Sequence, residues 1–269
     1  MKKKIAINGF GRIGRLTLRA FFEKKTEEFE ISAINDLGNV ESNIHLYKYD
    51  TVHGKCKEEI KNNSGTVIIN NQEIKFLSEP NPSKLPWRDL DIDLVIESTG
   101  FFTDRNGAKK HLEAGAKKVL ISAPAKDPDF TVVYGVNDND LIDDHKIISN
   151  ASCTTNCLAP LAYLLENSVG LESGYMTTVH SVTGDQNTID TIHKDLRRAR
   201  NSLISIIPTS TGAARAVGEV LPQLKGKIDG SAIRVPTSNV SLVDFKFLSK
   251  RETNEEELIK IFKLSLIHI

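Results

Sequence analysis

Net charge is the first thing this sequence lacks. Among 269 residues, 35 Lys and Arg stand against 35 Asp and Glu, a formal net charge of zero. A neutral chain has neither the basic excess nor the basic stripe of a general nucleic-acid binder, so no specific nucleic-acid partner is expected. A local phosphate site remains open. Cysteine is scarce: Cys56, Cys153 and Cys157 are too few for a disulfide framework, and an odd, sparse count points to a reducing cytoplasm. Long apolar runs are missing too, with nothing near the roughly 18 apolar residues of a membrane span. The basic start, Met1-Lys2-Lys3-Lys4-Ile5, runs at once into Asn8, Gly9, Gly11 and Arg12 instead of the apolar stretch of a signal peptide. What remains, 26% charged and 39% hydrophobic residues, is the composition of an ordinary globular protein. Its length favours two domains over one.

The first half alternates strand-like and helix-like segments. Ile5-Ala6-Ile7, Ile31–Ile34, Leu94-Val95-Ile96 and Lys118–Ile121 read as buried strands. Ile13, Leu16, Thr17, Ala20 and Phe21 recur at helical spacing, and a second helix is predicted over Asn106–Glu113. Thr66–Ile69 and Ile74–Phe76, separated by Asn70-Asn71, read as a hairpin. This pattern predicts an α/β, doubly wound domain over residues 1–150. The texture changes at a Ser/Thr/Asn-rich stretch, Ser149–Asn156, followed by an apolar helix over Cys157–Leu165, a strand over Met176–His180, a basic loop over Gly184–Asn201 and β-rich sequence around Ile228–Val243. A second domain is therefore placed at 151–269.

Gly9-Phe10-Gly11-Arg12-Ile13-Gly14 is a G-x-G-x-x-G run between a predicted strand and a predicted helix. Gly9 allows the tight turn, Gly11 lets backbone approach a pyrophosphate, and Gly14 lets helix and strand pack closely. The helix N-terminus then faces the anion. Asp36 closes the second strand where a carboxylate reaches a ribose 2′-hydroxyl and repels a 2′-phosphate, which favours NAD over NADP. The bland alternative is a glycine-rich turn beside a surface aspartate.

Cys153 stands where the Ser/Thr/Asn cluster meets the apolar helix, with Asn150 or Ser152 as candidate cap. A thiol in the first turn of a helix is favoured as thiolate. An isolated cysteine is more often a buried, inert residue, and that role is assigned to Cys157, one helical turn further on. The pair lacks a second Cys/His pair at zinc spacing, and no metal is expected. His180, ending the strand Thr177–His180, has the chemistry of a general base for a thiol. His45, His53, His111, His145, His193 and His268 have no comparable setting in the sequence. Positive charge collects in His193–Arg200, and Arg234 stands between apolar Ile233 and Val235. Each reads equally as a phosphate ligand or as a structural surface residue.

Taken together these segments resemble the phosphorylating glyceraldehyde-3-phosphate dehydrogenases. The carrying stretches are Ile7–Arg15, Glu97–Phe102, Ile121–Ala125, Ser149–Pro160, Thr178–Gln186, His193–Arg200, Ser210–Ala214 and Arg234–Thr237, in the family's order and up to about Glu257. The resemblance implies a Rossmann-type NAD-binding domain followed by an α+β catalytic domain with a mostly antiparallel sheet. It implies oxidation of glyceraldehyde 3-phosphate to an acyl phosphate with NAD and inorganic phosphate, through a hemithioacetal and thioester on Cys153, with His180 as base. Thr183 and Arg234 match the ligands of the substrate's own phosphate. Ser152, Thr154, Arg198, Thr211 and Gly212 match the pocket of the attacking phosphate, and Arg12, Ile13, Asp36 and Ser122 match NAD contacts. A cytoplasmic homotetramer is implied as well.

Two departures stand out. Pro80 occupies the position, ahead of Leu85-Pro86-Trp87, where the family often has a basic residue on the adenine side of NAD. The stretch Leu264–Ile269 does not resemble the family, so the expectation is a frame-shifted or truncated sequence, impaired beside an active tetrameric parent. The alternatives are an erythrose-4-phosphate dehydrogenase, which these motifs separate poorly, and a catalytically silent NAD-binding fragment.

Overall fold

The computed structural model describes residues 2–24, 26–63 and 65–268. The chain divides into one unit of Met1–Thr131 with Leu141–Asn150 and another of Val132–Asp140 with Ala151–Ile269.

Alternation along β1 (Lys3–Asn8) sets the architecture of the first unit. Ile5 and Ile7 enter one buried cluster with Leu18, Ile31 and Tyr47, while Ala6 enters another with Ala33, Val95 and Trp87. A strand that is apolar on both faces needs cover on both sides, which parallel sheets obtain from helical crossovers. The elements follow accordingly: α1 (Arg12–Lys24), β2 (Phe29–Asn35), α2 (Val40–Lys48), a small ribbon of β3 (Tyr49–Asp50) and β4 (Gly54–Lys55), then β5 (Ile60–Asn63), β6 (Thr66–Ile69), β7 (Gln72–Leu77), β8 (Leu94–Glu97), α3 (Arg105–Glu113), β9 (Lys118–Ile121), β10 (Phe130–Thr131) and β11 (Ile147–Ser149). Strands of the main sheet lie in the order β10-β11-β9-β8-β1-β2-β7-β6-β5. Pairing is parallel from β10 through β7, and β5, β6 and β7 extend it antiparallel. Asn70 and Asn71 take φ of 48° and 70° between β6 and β7, the left-handed pair that matches the twist of a two-residue hairpin.

β1 lies between β2 and β8, so the chain reverses direction across the sheet there. The carboxyl ends of these strands frame the crevice in which doubly wound folds hold ligands. The three glycines divide the work as the motif requires. Gly9 has φ of 91° and a side chain there would meet Thr99 N at 2.6 Å; a Cβ on Gly14 would collide with the Gly9 carbonyl; Gly11 has nothing within 4 Å. Gly14→Ala is expected to destabilise this unit by about 2 kcal/mol or more, since backbone must move to admit the methyl. An unchanged unfolding midpoint in urea would contradict this packing.

In the second unit, α4 (Cys153–Ser168) leads into β12 (Leu171–Ser181), β13 (Ile207–Ser210), α5 (Ala213–Val220), β14 (Ile228–Val235), β15 (Ser241–Ser249) and α6 (Glu255–His268). The sheet order is β13-β14-β12-β15. Only the β12–β14 pair is parallel, so the sheet is mostly antiparallel. Leu158, Ala159 and Ala162 on α4 pack with Met176, Val217 and Ile228 in its core. Val133, from the segment Val132–Asp140, is buried in the same core. No helix among the described residues is long and apolar enough to cross a membrane.

Candidate active site

The helix carrying Cys153 begins four residues earlier than its apolar pattern suggests, because Ser152 caps it. Ser152 Oγ accepts from Thr155 N at 3.0 Å, which makes Cys153 the first helical residue. Ahead of it Ala151 has φ of 56°, left-handed backbone that an alanine adopts only under constraint. Cys153 Sγ lies 3.2 Å from His180 Nε2. His180, the penultimate residue of β12, is 6% exposed. Its Nδ1 is 2.7 Å from the Ser181 carbonyl oxygen, which can only accept. With Nδ1 turned to the backbone of Ser181, Nε2 faces the thiol.

The hydrogen bond with His180, helped by Thr154, holds the Cys153 thiol below the ordinary value although burial opposes it. The hydrogen bond with Cys153, with the Ser181 carbonyl, lifts His180 above its ordinary value against burial and the charge of Arg234. Both shifts favour thiolate beside imidazolium. Cys157 corrects the sequence reading: it is exposed, not packed among apolar neighbours. It shares a helix face with Cys153, whereas Leu158, Ala159 and Ala162 face the core. Partial desolvation by the atoms around its helix turn, and then the nearby Cys153 charge, push its thiol up.

Parallel pairing of β12 with β14 sets Arg234 opposite His180. Arg234 Nη1 donates to the Ser181 carbonyl at 2.9 Å and lies 2.7 Å from His180 Nδ1. Its Nε is buried without a partner. An unpartnered guanidinium N–H beside the thiol suits an anionic ligand. Burial and the charge of Arg198 keep Arg234 below the usual guanidinium value. Arg198 donates to Asp185 Oδ2 (2.5 Å), Thr209 Oγ1 (2.9 Å) and the Ser210 carbonyl (3.2 Å). It lines a cavity of about 610 Å³ with Asp185, His193 and Ser210. Gly212 is the N-cap of α5 with open space around it, and Thr211 Oγ1 accepts from Ala213 N at 3.1 Å. Thr183 is turned aside, its hydroxyl donating to Gln186 Oε1 at 3.2 Å.

In the first unit a cavity of about 310 Å³ is lined by Gly9, Gly11 and Asp36, together with Asn8, Asn35 and Thr99. Asp36 accepts from Phe10 N (2.7 Å), Gly38 N (2.8 Å) and Asn43 Nδ2 (3.2 Å). A carboxylate has about four acceptor directions, so one is left for a ribose hydroxyl. The open space over Gly11 and this acceptor fit a dinucleotide. Pro80 lines the same cavity. Arg12 is directed to Asp50 at 3.4 Å, Ile13 is exposed, and Ser122 N donates to the Glu97 carbonyl; none of the three lines the cavity.

The sequence profile of the glyceraldehyde 3-phosphate dehydrogenase NAD binding domain matches residues 3–105, and that of the C-terminal domain matches 152–266. A glyceraldehyde-3-phosphate dehydrogenase of Xanthobacter flavus is 56% identical over 258 residues, 96% of this chain and 77% of the relative. One of Zymomonas mobilis is 54% identical over 264 residues, 98% and 78%. The chain belongs to the glyceraldehyde-3-phosphate dehydrogenase family. It is an NAD-dependent oxidoreductase. The match to residue 266 runs past Glu257, where the sequence reading ended the resemblance.

Two features of the dehydrogenase escaped sequence reasoning. Thr155, fully buried, donates from Oγ1 to the Ala213 carbonyl at 3.2 Å and ties the cysteine's turn to the start of α5. His111 proved to be buried against Glu97. Its place within the predicted helix Asn106–Glu113 did not set it apart from the other histidines.

Proposed function

We propose that Cys153 and His180 carry the oxidation of glyceraldehyde 3-phosphate to 1,3-bisphosphoglycerate with NAD and inorganic phosphate. The observation that carries this reading is the 3.2 Å contact of Sγ with Nε2 at the first residue of a capped helix. The thiolate attacks the aldehyde carbon, the carbonyl electron pair moves onto oxygen, and protonated His180 gives that oxygen its Nε2 proton to complete the hemithioacetal. The Cys153 N–H, which has no intrahelical acceptor at this position, faces the developing oxyanion. His180 Nε2 takes the hydroxyl proton as the hemithioacetal is oxidised to a thioester. NAD, when bound, supplies the two-electron acceptor. A phosphate oxygen then attacks the thioester carbon, and the thiolate leaves as the acyl phosphate forms.

In this reading Arg234, whose Nε is unpartnered, binds the substrate's phosphate together with Thr183. Arg198, with Ser152, Thr154, Thr211 and Gly212, receives the attacking phosphate. Gly9, Gly11, Gly14 and Asp36, with Arg12, Ile13 and Ser122, hold NAD within a domain of residues 1–150, ahead of a catalytic domain of residues 151–269. A cytoplasmic homotetramer accords with the apolar side chains left outside: Ile192, Leu196, Ile204 and Ile206 are 70–100% exposed.

The purified chain is expected to reduce NAD with glyceraldehyde 3-phosphate only when phosphate is present, read as NADH absorbance. Faster turnover on erythrose 4-phosphate would reassign the substrate. NAD binding with no acyl phosphate formed would reject the reading.

A further inference from the structure

Behind the nucleotide cavity lies a polar cluster that the reaction above does not use. Glu97, the last residue of β8, is 1% exposed. Its Oε2 accepts from Asn8 Nδ2 at 2.6 Å and from His111 Nε2 at 3.0 Å. Its Oε1 accepts from Thr99 N at 2.8 Å and from the Thr99 hydroxyl. His111 and Trp87 are both fully buried, and Trp87 Nε1 donates to His111 Nδ1 at 2.9 Å. An indole N–H can only donate, so Nδ1 accepts and the ring proton sits on Nε2, aimed at Glu97. Asn8 Oδ1 in turn accepts from Asn35 Nδ2 at 2.7 Å. The cluster thus ties the carboxyl ends of β8, β1 and β2, and Asn8, Asn35 and Thr99 line the cavity. Phe102, which also lines it, stands edge-on to His111.

A buried carboxylate is a costly way to fill space; an apolar side chain of similar volume is often as stable. Here its neighbours explain it. Thr99 backbone packs directly against Gly9, so the turn after β8 and the glycine turn after β1 must keep a fixed spacing for a dinucleotide to seat. Glu97 bonds to both sides of that gap. We propose that Glu97, oriented by the His111–Trp87 pair, is the positioning residue that holds these two turns at the spacing NAD requires. This rests on the reading of the cavity as the NAD site.

The test pairs His111→Gln with His111→Leu in the full chain. A glutamine amide can accept from Trp87 and donate to Glu97, whereas leucine can do neither. NAD affinity by titration calorimetry is expected to stay within about twofold in the glutamine variant and to weaken on the order of tenfold in the leucine variant. KM for NAD should rise while kcat holds. A folded His111→Leu with wild-type NAD affinity would overturn the proposal, as would equal loss in both variants. Should His111→Leu fail to fold, Glu97→Gln decides on the same readout: weakened NAD binding supports the relay and wild-type affinity refutes it. Asp36→Ala separates the two readings. If it leaves NAD binding intact, the cavity assignment fails; if it weakens binding while His111→Leu does not, the relay alone fails.

Discussion

Cys153→Ser is expected to lower phosphate-dependent NADH formation by at least about a thousandfold, with NAD affinity and the unfolding midpoint unchanged. Removing the nucleophile of a covalent mechanism costs most of its rate, because the remaining groups act through it. Serine has nearly the same shape but its hydroxyl does not ionise beside an imidazole as a thiol does. The substitution therefore isolates ionisation from packing. NAD binding should be unaffected, since the glycine turn and Asp36 that line the nucleotide cavity belong to the other unit. A serine variant retaining more than about a tenth of the activity would remove Cys153 from the nucleophile's role. Cys157→Ser provides the contrast and should retain turnover, because its thiol is pushed upward and no base among the described residues is hydrogen-bonded to it.

The second large effect is expected from His180→Asn: a fall in turnover of about 10² to 10⁴, the usual contribution of a general base, and a change in the pH dependence of Cys153. The direction follows from the two shifts. Hydrogen bonding with His180 holds the thiol below its ordinary value, so thiolate persists to lower pH than for a free cysteine. His180 is held above its ordinary value by the same bond, so it stays protonated to higher pH. The two shifts draw the titrations towards each other, and each raises the share of the thiolate–imidazolium form. Without the imidazole, burial is the main influence left on the thiol, and it acts upward. The midpoint of Cys153 alkylation by iodoacetamide should move to higher pH in the variant. An unmoved midpoint would show that the helix N-terminus, rather than His180, lowers the thiol.

Much of this molecule was legible in one dimension, for local reasons. Gly9 and Gly14 announce the nucleotide turn because a Cβ at either would meet neighbouring backbone, and Gly11 because it leaves the space over the turn open to a ligand. Asn70-Asn71 announces its hairpin because both residues tolerate the left-handed backbone observed there. The Ser152 cap, and with it the placement of Cys153 at a helix start, follows from side chains within three residues of one another. Turn chemistry, caps and periodicity act over a few residues, so they can be read from neighbouring side chains alone. The paired motifs also determined the family.

Contacts between distant segments were decided only by tertiary structure. Arg234 meets His180 because β14 runs parallel to β12 in one particular register, and a shift of one residue would turn it to the other face. Arg198 stood in the sequence as a candidate phosphate ligand, with no sign of its bond to Asp185, whose carboxyl burial pushes up while His193 and Arg198 hold it below the usual range. Cys157 looked buried because its neighbours are apolar, yet the helix turns it outward. The Glu97–His111–Trp87–Asn8 cluster joins four segments up to 103 residues apart. Nothing in the sequence marks His111 above the other histidines until the fold removes water from around it and leaves Glu97 and Trp87 as its partners.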